Sequence, residues 1–531
     1  MMRFRNCTIV ILALLLASGC GGGKQERIEQ QTAADQQEEA ATTQPSAESS
    51  AEITDEATEQ SAMQGDTAAP EGGETLDTRI GKLSFTHDFA NGYPTKETVE
   101  KLFDEMDFQR ATQAYLWAIP LVSFAQWQHE HENVFKAKSG DIVYYPDYVS
   151  KLGLLTANAT TPYALSFIRL DETGPIVVEM PETEVRGAMH SMWQVAIAPM
   201  TEPGKYVFYA PGTQAPKVPD GYKAFESPTN SVFFGIRLMS KDEGERRDAL
   251  SKIEIYPLAK EGTAEDTKVI EAGDKHWEGW QPRGIVYFER LADILSREPV
   301  AERDRFFHAM LKPLGIEKGK PFNPDARQKE ILTEAALVGE AMAKANDFEN
   351  PRLEQAIYKE GSHWEIATVS PPDQRWENYD ALDGRAAWFY EAVTNDPAMQ
   401  SKTPGKDQIY LAAYKDTDGD WLDGAKQYKL HILPDAPAAE FWSTTVYDVS
   451  TRALIDNEQR VADKSSRMDL IKNNDGSFDI YYGPTPPPGK DKNWIPTVPG
   501  RAWFTYFRFY SPTEAYFDQS WVLPDIEKAS W

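Results

Sequence analysis

Ile142-Val-Tyr-Tyr145, Leu165-Ser-Phe-Ile168, Pro175-Ile-Val-Val-Glu-Met180, Tyr206-Val-Phe-Tyr209 and Val232-Phe-Phe-Gly-Ile236 all fall within one stretch, Asp141 to Met239. Each run is rich in β-branched or aromatic residues, and turn-forming residues separate one run from the next. Side chains of this kind suit a pleated, half-buried surface. Their close spacing predicts several short strands in a sandwich or barrel.

Outward from this stretch the texture changes. Residues 95–135 read as helix, with Val99, Leu102, Phe103 and Met106 at helical spacing and an apolar face continuing from Tyr115 to Trp127. Pro120 is expected to kink or break that helix. Residues 243–360 read as largely helical. Pro324 to Ala345 is the clearest segment, with Pro324 in the tolerant first turn and Ile331, Leu332, Ala335, Leu337 and Val338 as the apolar stripe. Strands return from Lys426. Lys429-Leu-His-Ile-Leu433 alternates, Asn474-Asp-Gly476 reads as a hairpin turn between Met468–Ile471 and Phe478–Tyr482, and Trp503–Tyr510 reads as a last strand.

The N-terminus gives an address. Arg3 and Arg5 precede the apolar run Ile9–Ala17, which is too short for a helix across roughly 30 Å of hydrocarbon and fits a secretory signal, 1–19. Leu16-Ala-Ser-Gly-Cys20 resembles a bacterial lipobox, in which the thiol takes diacylglycerol and the cysteine becomes the first mature residue. Cys7 lies inside the signal, so the mature chain has no pair for a disulfide. From Cys20 to Asp77 there is no aromatic residue, and fourteen acids face only Lys24 and Arg27. A chain of that composition cannot bury enough apolar area to offset its entropy. It is expected to be a disordered tether with a reach of roughly 40 Å. Of the net charge of −28, about −18 remains on the globular body. An acidic body repels phosphate backbones, so nucleic acid is not an expected partner. The expected location is the cell envelope, lipid-anchored to a bacterial membrane and facing the periplasm or exterior.

The remaining length exceeds what one core usually supports. The expected organisation is mainly β with helical insertions: 78–240 as an N-terminal sandwich with leading helices, 241–410 as a helical linker, and 411–531 as a C-terminal sandwich.

Longer strings carry a resemblance. Lys151-Leu-Gly-Leu-Leu-Thr-Ala-Asn-Ala-Thr-Thr-Pro-Tyr163, Gly174-Pro-Ile-Val-Val-Glu-Met-Pro181, Trp193-Gln194 and Ser227-Pro-Thr-Asn230 resemble the domain of unknown function 1254. Phe441-Trp-Ser-Thr-Thr-Val-Tyr-Asp448, Asn474-Asp-Gly-Ser477, Asp479-Ile-Tyr-Tyr-Gly-Pro484, Lys492-Asn-Trp494 and Arg508-Phe-Tyr-Ser-Pro-Thr513 resemble its usual fused companion, the domain of unknown function 1214. The resemblance implies two jelly-roll-like β-sandwich domains and no established chemistry. One common form of the family has Asn-x-Asp-Thr-x-Tyr where this chain has Thr160 in place of the acid.

Candidate chemistry is sparse. No Gly-x-Ser-x-Gly elbow, phosphate loop or dinucleotide fingerprint is present. His129-Glu-His131-Glu132 has the wrong spacing for two ligands on one helix face. Asp416, Asp418, Asp420 and Asp423 alternate as calcium ligands can, but Trp421 and Gln427 stand where an EF-hand loop needs glycine and glutamate. Either calcium or a solvated turn fits, and no other cofactor is expected. On a strand at 188–197, His190 and Gln194 would share a face. Asn158, Thr161 and Tyr163 form a polar cluster expected near a turn. His190 is a candidate general base, with Asn158 and Gln194 to orient a carbonyl or hydroxyl; the alternative is that these residues hydrogen-bond turns and satisfy buried backbone. Asp448 with Arg452 or Arg508 would be a substrate clamp or a buried ion pair. Fourteen tryptophans would either fill cores or stack on sugars at sandwich edges. Two functions are compatible with these residues: a hydrolase or lyase acting on a small or glycan-like substrate in an interdomain cleft, or a non-catalytic carbohydrate- or protein-binding lipoprotein.

Overall fold

The computed structural model describes residues 71–349 and 352–531. The signal segment, Cys20 and the tether as far as residue 70 lie outside the described residues. The folded part starts ahead of the expected Thr78 boundary. Thr75–Thr78 pairs antiparallel with Gly81–Ser84, and Leu76 stands opposite Leu83. No helix among the described residues is long and apolar enough to cross a membrane.

The chain is mainly β with helical insertions, and its sheets stack in two pairs. In the first pair a six-stranded sheet runs in the order Val269–Glu271, Ile142–Tyr145, Tyr163–Arg169, Ser231–Leu238, Val185–Ser191, Ala196–Pro199. A four-stranded sheet, Glu254–Pro257, Ile176–Met180, Gly204–Tyr209 and Lys223–Glu226, covers one of its faces. Val232, Phe234 and Ile236 meet Val178, Tyr206 and Phe208 in the core between them. In the second pair the five-stranded sheet runs Trp364–Ile366, Gln408–Ala413, Trp503–Pro512, Ala438–Asp448, Asp463–Ser465. Its partner contains Trp494–Pro496, Phe478–Gly483, Tyr428–Ile432 and Glu527–Lys528. Trp503 packs on Tyr428 and Tyr482, and Trp442 packs on Phe478.

The second face of each larger sheet turns to helices. Lys96–Asn133, capped by the Thr95 hydroxyl, is buried on every side from Ala114 to Gln128. Of the kink or break expected at Pro120, the break does not occur, and the helix runs on through that residue. A prolyl residue removes one backbone hydrogen bond at about 3 kcal/mol, and here packing all round the helix offsets that loss. Ala326–Phe348 begins one residue after Asp325, whose carboxylate and the Gln328 amide cap each other reciprocally. Pro324 therefore precedes the cap instead of opening the helix. Gly339 allows this helix to lie against the Tyr115 ring, since a Cβ there would stand 2.5 Å from Cγ of the tyrosine.

Two local expectations change. Residues 241–410 hold helices such as Ile285–Arg297 and Leu382–Glu391, but also strands that join both larger sheets. Gly476 makes the expected turn at a φ of 94°. Only one bridge, Lys472 with Phe478, forms across it, and strand Phe478–Gly483 pairs with Tyr428–Ile432 instead. Thirteen of the fourteen tryptophans are buried or half-buried. Trp421 is the exposed one, and the Lys415 ammonium lies 4.5 Å from its ring centroid.

Candidate ligand cavity

Strand Ser231–Leu238 lies between Tyr163–Arg169 and Val185–Ser191, and its register sets three rungs on the helix-facing side. Arg237 is opposite Tyr163 and Arg186, Gly235 opposite Leu165 and Ala188, and Phe233 opposite Phe167 and His190. The middle rung is low: a Cβ on Gly235 would come within 2.5 Å of the Phe233 ring. The five-stranded sheet presents a complementary wall, with Tyr410 opposite Arg508 and Gln408 opposite Tyr510. A cavity of about 640 Å³ lies between the walls, closed by the Leu154–Asn158 segment, Trp388 and residues 392–399. That volume is in the range of small-molecule sites.

His190 lines the cavity at 2% exposure, and neither ring nitrogen has a hydrogen-bond partner among the described residues. The Ala188 main chain acts on its proton affinity but lies outside hydrogen-bond geometry. Burial pushes the imidazole pKa down from 6.5 to about 4, so the ring is neutral near pH 7. Leaving such a group unsatisfied costs about 1–3 kcal/mol, which a hydrogen-bonding ligand would recover.

At the other end of the floor Arg237 donates to Gln408 Oε1 at 3.3 Å, joining the two sheets. Arg186 forms a two-pronged pair with Glu440 at 2.8 and 2.9 Å. Arg508 is buried and donates to Thr445 Oγ1 and the Thr156 carbonyl, with its guanidinium over Tyr410 and Tyr506 at 5.2 and 5.1 Å. Asp396 is the carboxylate nearest in influence to Arg237. Burial raises its pKa, while the Ala398 N–H and Arg237 oppose that rise. Behind the wall, Tyr506 and Tyr414 both donate to Glu391, which is bonded in turn to Asp347. Burial raises both acids, Glu391 to about 8.

Of the residues singled out from sequence, His190, Asn158, Tyr163 and Arg508 line the cavity. Asn158 accepts from the Thr160 and Thr161 amides through Oδ1 and donates to the Tyr510 hydroxyl, and Tyr163 OH accepts from the Asn158 amide. Gln194, Asp448 and Arg452 stand elsewhere. The expected strand 188–197 is two strands, Val185–Ser191 and Ala196–Pro199, with a bulge after Met189 and a turn between them. Gln194 sits in that turn at a φ of 63°, where its amide bonds the Pro120 carbonyl and the Thr394 N–H. Asp448 caps Ser450 and faces Arg501 at 3.4 Å. The expected pairing of Asp448 with Arg452 or Arg508 does not form. Arg452 instead donates to the carbonyls of Tyr390 and Ser450 and to Gln281.

The two metal candidates resolve separately. His131 is buried against the Tyr145 hydroxyl, and His129 meets Arg290 on another face of the helix. In the acidic loop the Lys528 ammonium stands 3.4, 2.9 and 2.6 Å from Asp416, Asp418 and Asp420, where a hard cation would sit, while Asp423 caps Ala425. No group of three or more metal-ligating side chains is arranged for a metal among the described residues.

Arg237, Gln408 and Glu391 went unread in the sequence, and Arg508 was read only as a partner of Asp448. A signal existed for the arginines, since each interrupts a strand that is otherwise apolar or aromatic at the neighbouring positions.

Residues 141–257 match the family described as Protein of unknown function (DUF1254), and residues 407–514 match Protein of unknown function (DUF1214). Both families thus occur in one chain. No curated protein matches. The chain is similar in structure to the VPA0106 protein from Vibrio parahaemolyticus, at 17% identity and a TM-score of 0.50, over 80% of this chain and 100% of that one. It also aligns with a putative uncharacterized protein from Burkholderia cenocepacia, at 10% identity and a TM-score of 0.33, over 81% and 96% of the two chains. The first likeness concerns the fold alone.

Proposed function

We propose that this chain, which carries the DUF1254 and DUF1214 domains together, is a lipid-anchored envelope protein that captures a small molecule in the cavity between its two larger sheets. The observation that carries this reading is the partly open cavity of about 640 Å³, with apolar walls and a few convergent polar groups. Binding fits the geometry better than catalysis. Among the described residues His190 has no orienting acid, and neither Asn158 nor Asp448 lies within hydrogen-bond reach of it. A hydrolase or lyase is the second reading. It rests on the same histidine, a neutral buried imidazole free to accept a proton from a bound substrate.

The test is recovery of the ligand. Protein purified from its native membrane is denatured, and the released small molecules are identified by mass spectrometry. Ala188→Phe, which fills the middle of the floor, should release none of the compound that the wild type carries. Equal recovery from both proteins would remove the cavity from the argument. Turnover of the recovered compound by the wild type, lost in His190→Gln, would move the conclusion to the second reading.

A further inference from the structure

We infer that the cavity is built for an organic oxyanion, a carboxylate or phosphate ester with an apolar body, and that Arg237 and Arg508 hold its charged end. The inference deepens the binding reading and rests on it. It stands on where the charges are. The two guanidiniums come from opposite walls, one from each sandwich, and both lie within electrostatic range of the same three phenols, Tyr163, Tyr410 and Tyr510. Among the described residues neither makes an ion pair with a carboxylate. Arg237 spends one of its five N–H donors, in a long bond to an amide oxygen, and keeps part of its surface open to the cavity. Arg186, by contrast, is already neutralised by Glu440.

The buried Arg508 and the half-buried Arg237 have carboxylates near them, since Asp396 and the exposed Asp407 line the cavity and Asp463 acts on Arg508 from outside the lining. Among the described residues, however, none of the three forms an ion pair with either guanidinium, and the Ala398 amide partly occupies Asp396. Both guanidiniums thus lack a paired anion, within a strongly acidic body. An enclosed arginine cannot shed its proton to relieve the imbalance. An oxyanion can relieve it, because the planar guanidinium fork matches carboxylate and phosphate oxygens bidentately. Beyond the charged end the lining turns apolar. Leu165, Gly235, Ala188 and Phe233 form a floor leading to His190. Four residues of strand, about 13 Å, separate the Arg237 and His190 rungs, so the ligand has room for a body as well as a head.

The experiment uses the full chain in detergent and measures its thermal midpoint at matched ionic strength with three probes: benzoate, phenyl phosphate and the neutral benzamide. At least one anion should raise the midpoint above the sodium chloride control, with benzamide giving no shift. Arg237→Gln should weaken the effective anion by about tenfold or more, the scale of losing one arm of an enclosed charge pair. Benzamide matching the anions, or an anion shift that survives in Arg237→Gln, would overturn the oxyanion assignment while leaving the cavity reading in place. No anion shift, with a neutral compound recovered from the membrane protein, overturns it as well. Should Arg237→Gln not fold, the wild-type comparison of anions with benzamide decides alone.

Discussion

Glu391→Gln should change the slope of stability with pH. Glu391 is 1% exposed, accepts from Tyr414 and Tyr506, and is bonded to Asp347. Burial raises its pKa from 4.5 to about 8 and raises Asp347 as well. Below about pH 4.5 the carboxyl is protonated in both the folded and unfolded chains and adds no pH dependence. Between pH 4.5 and 8 the unfolded chain ionises while the folded one keeps its proton. Stability therefore falls with rising pH, by about 1.4 kcal/mol per unit. The loss completes as pH passes the folded value, at no more than about 5 kcal/mol over the interval. Against a total of about 5–15 kcal/mol that is a large share. Glutamine keeps an oxygen for the two tyrosines and has no charge to bury. The wild type and Glu391→Gln should lie close together at pH 5, and the variant should gain steadily to pH 8. His131 and His190, which burial holds at about 3 and 4, steepen the acid side in both proteins and cancel in the difference. Urea midpoints from tryptophan fluorescence at unit pH steps give the comparison. A constant gap from pH 5 to 8 would refute the buried-proton argument.

Cys20→Ser should abolish incorporation of labelled palmitate and move the protein from the membrane pellet to the supernatant. Lys528→Met strips the cation from Asp416, Asp418 and Asp420, so its thermal midpoint should fall and then rise with added calcium, whereas the wild type should be nearly indifferent to calcium and chelator. Gly339→Ala should destabilise by about 1 kcal/mol in chemical denaturation. The helical gain of about 1 kcal/mol is outweighed by overpacking of about 1–3 kcal/mol, because Tyr115 is stacked on Tyr287 at 3.8 Å and cannot give way.

Strands with their own pattern were legible in the sequence. Ile142–Tyr145 is a strand with the bounds its composition suggests, and Trp503–Pro512 extends the expected one by two residues. Elements fixed by distant partners were less legible. The turn at Asn474-Asp475-Gly476 obeys local backbone preference, but the choice of Tyr428–Ile432 as strand partner is settled by packing against Trp503, which no local signal contains. Gln194 was misplaced because alternation was carried through a bulge and a turn that reset it. His190, Asn158 and Tyr163 were found because polar residues in apolar surroundings stand out. Arg237 was missed and Arg508 was given the wrong partner, since a single arginine in a strand looks the same whether its head meets solvent, a carboxylate or an empty space.

The fusion of the two families has a physical reason in this cavity. Arg237 reaches Gln408, Arg186 reaches Glu440, Asn158 reaches Tyr510, Thr160 reaches Asp463, and the Thr156 carbonyl accepts from Arg508 and Tyr447. Each bond runs from residues 141–257 to residues 407–514, and each involves a group on or beside the cavity wall. Were the halves separate, these groups would be solvated, and bringing them together would cost desolvation that such bonds barely recover. The apolar helices between the sheets supply the cohesion, with Lys96–Asn133 buried on all sides from Ala114 to Gln128. Polar bonds at the junction then act mainly to set position, and among the groups they place are Arg237 and Arg508, one from each larger sheet, in the lining of one cavity. A substitution such as Gln408→Leu removes one such bond and should therefore alter what the cavity holds more than how firmly the chain folds.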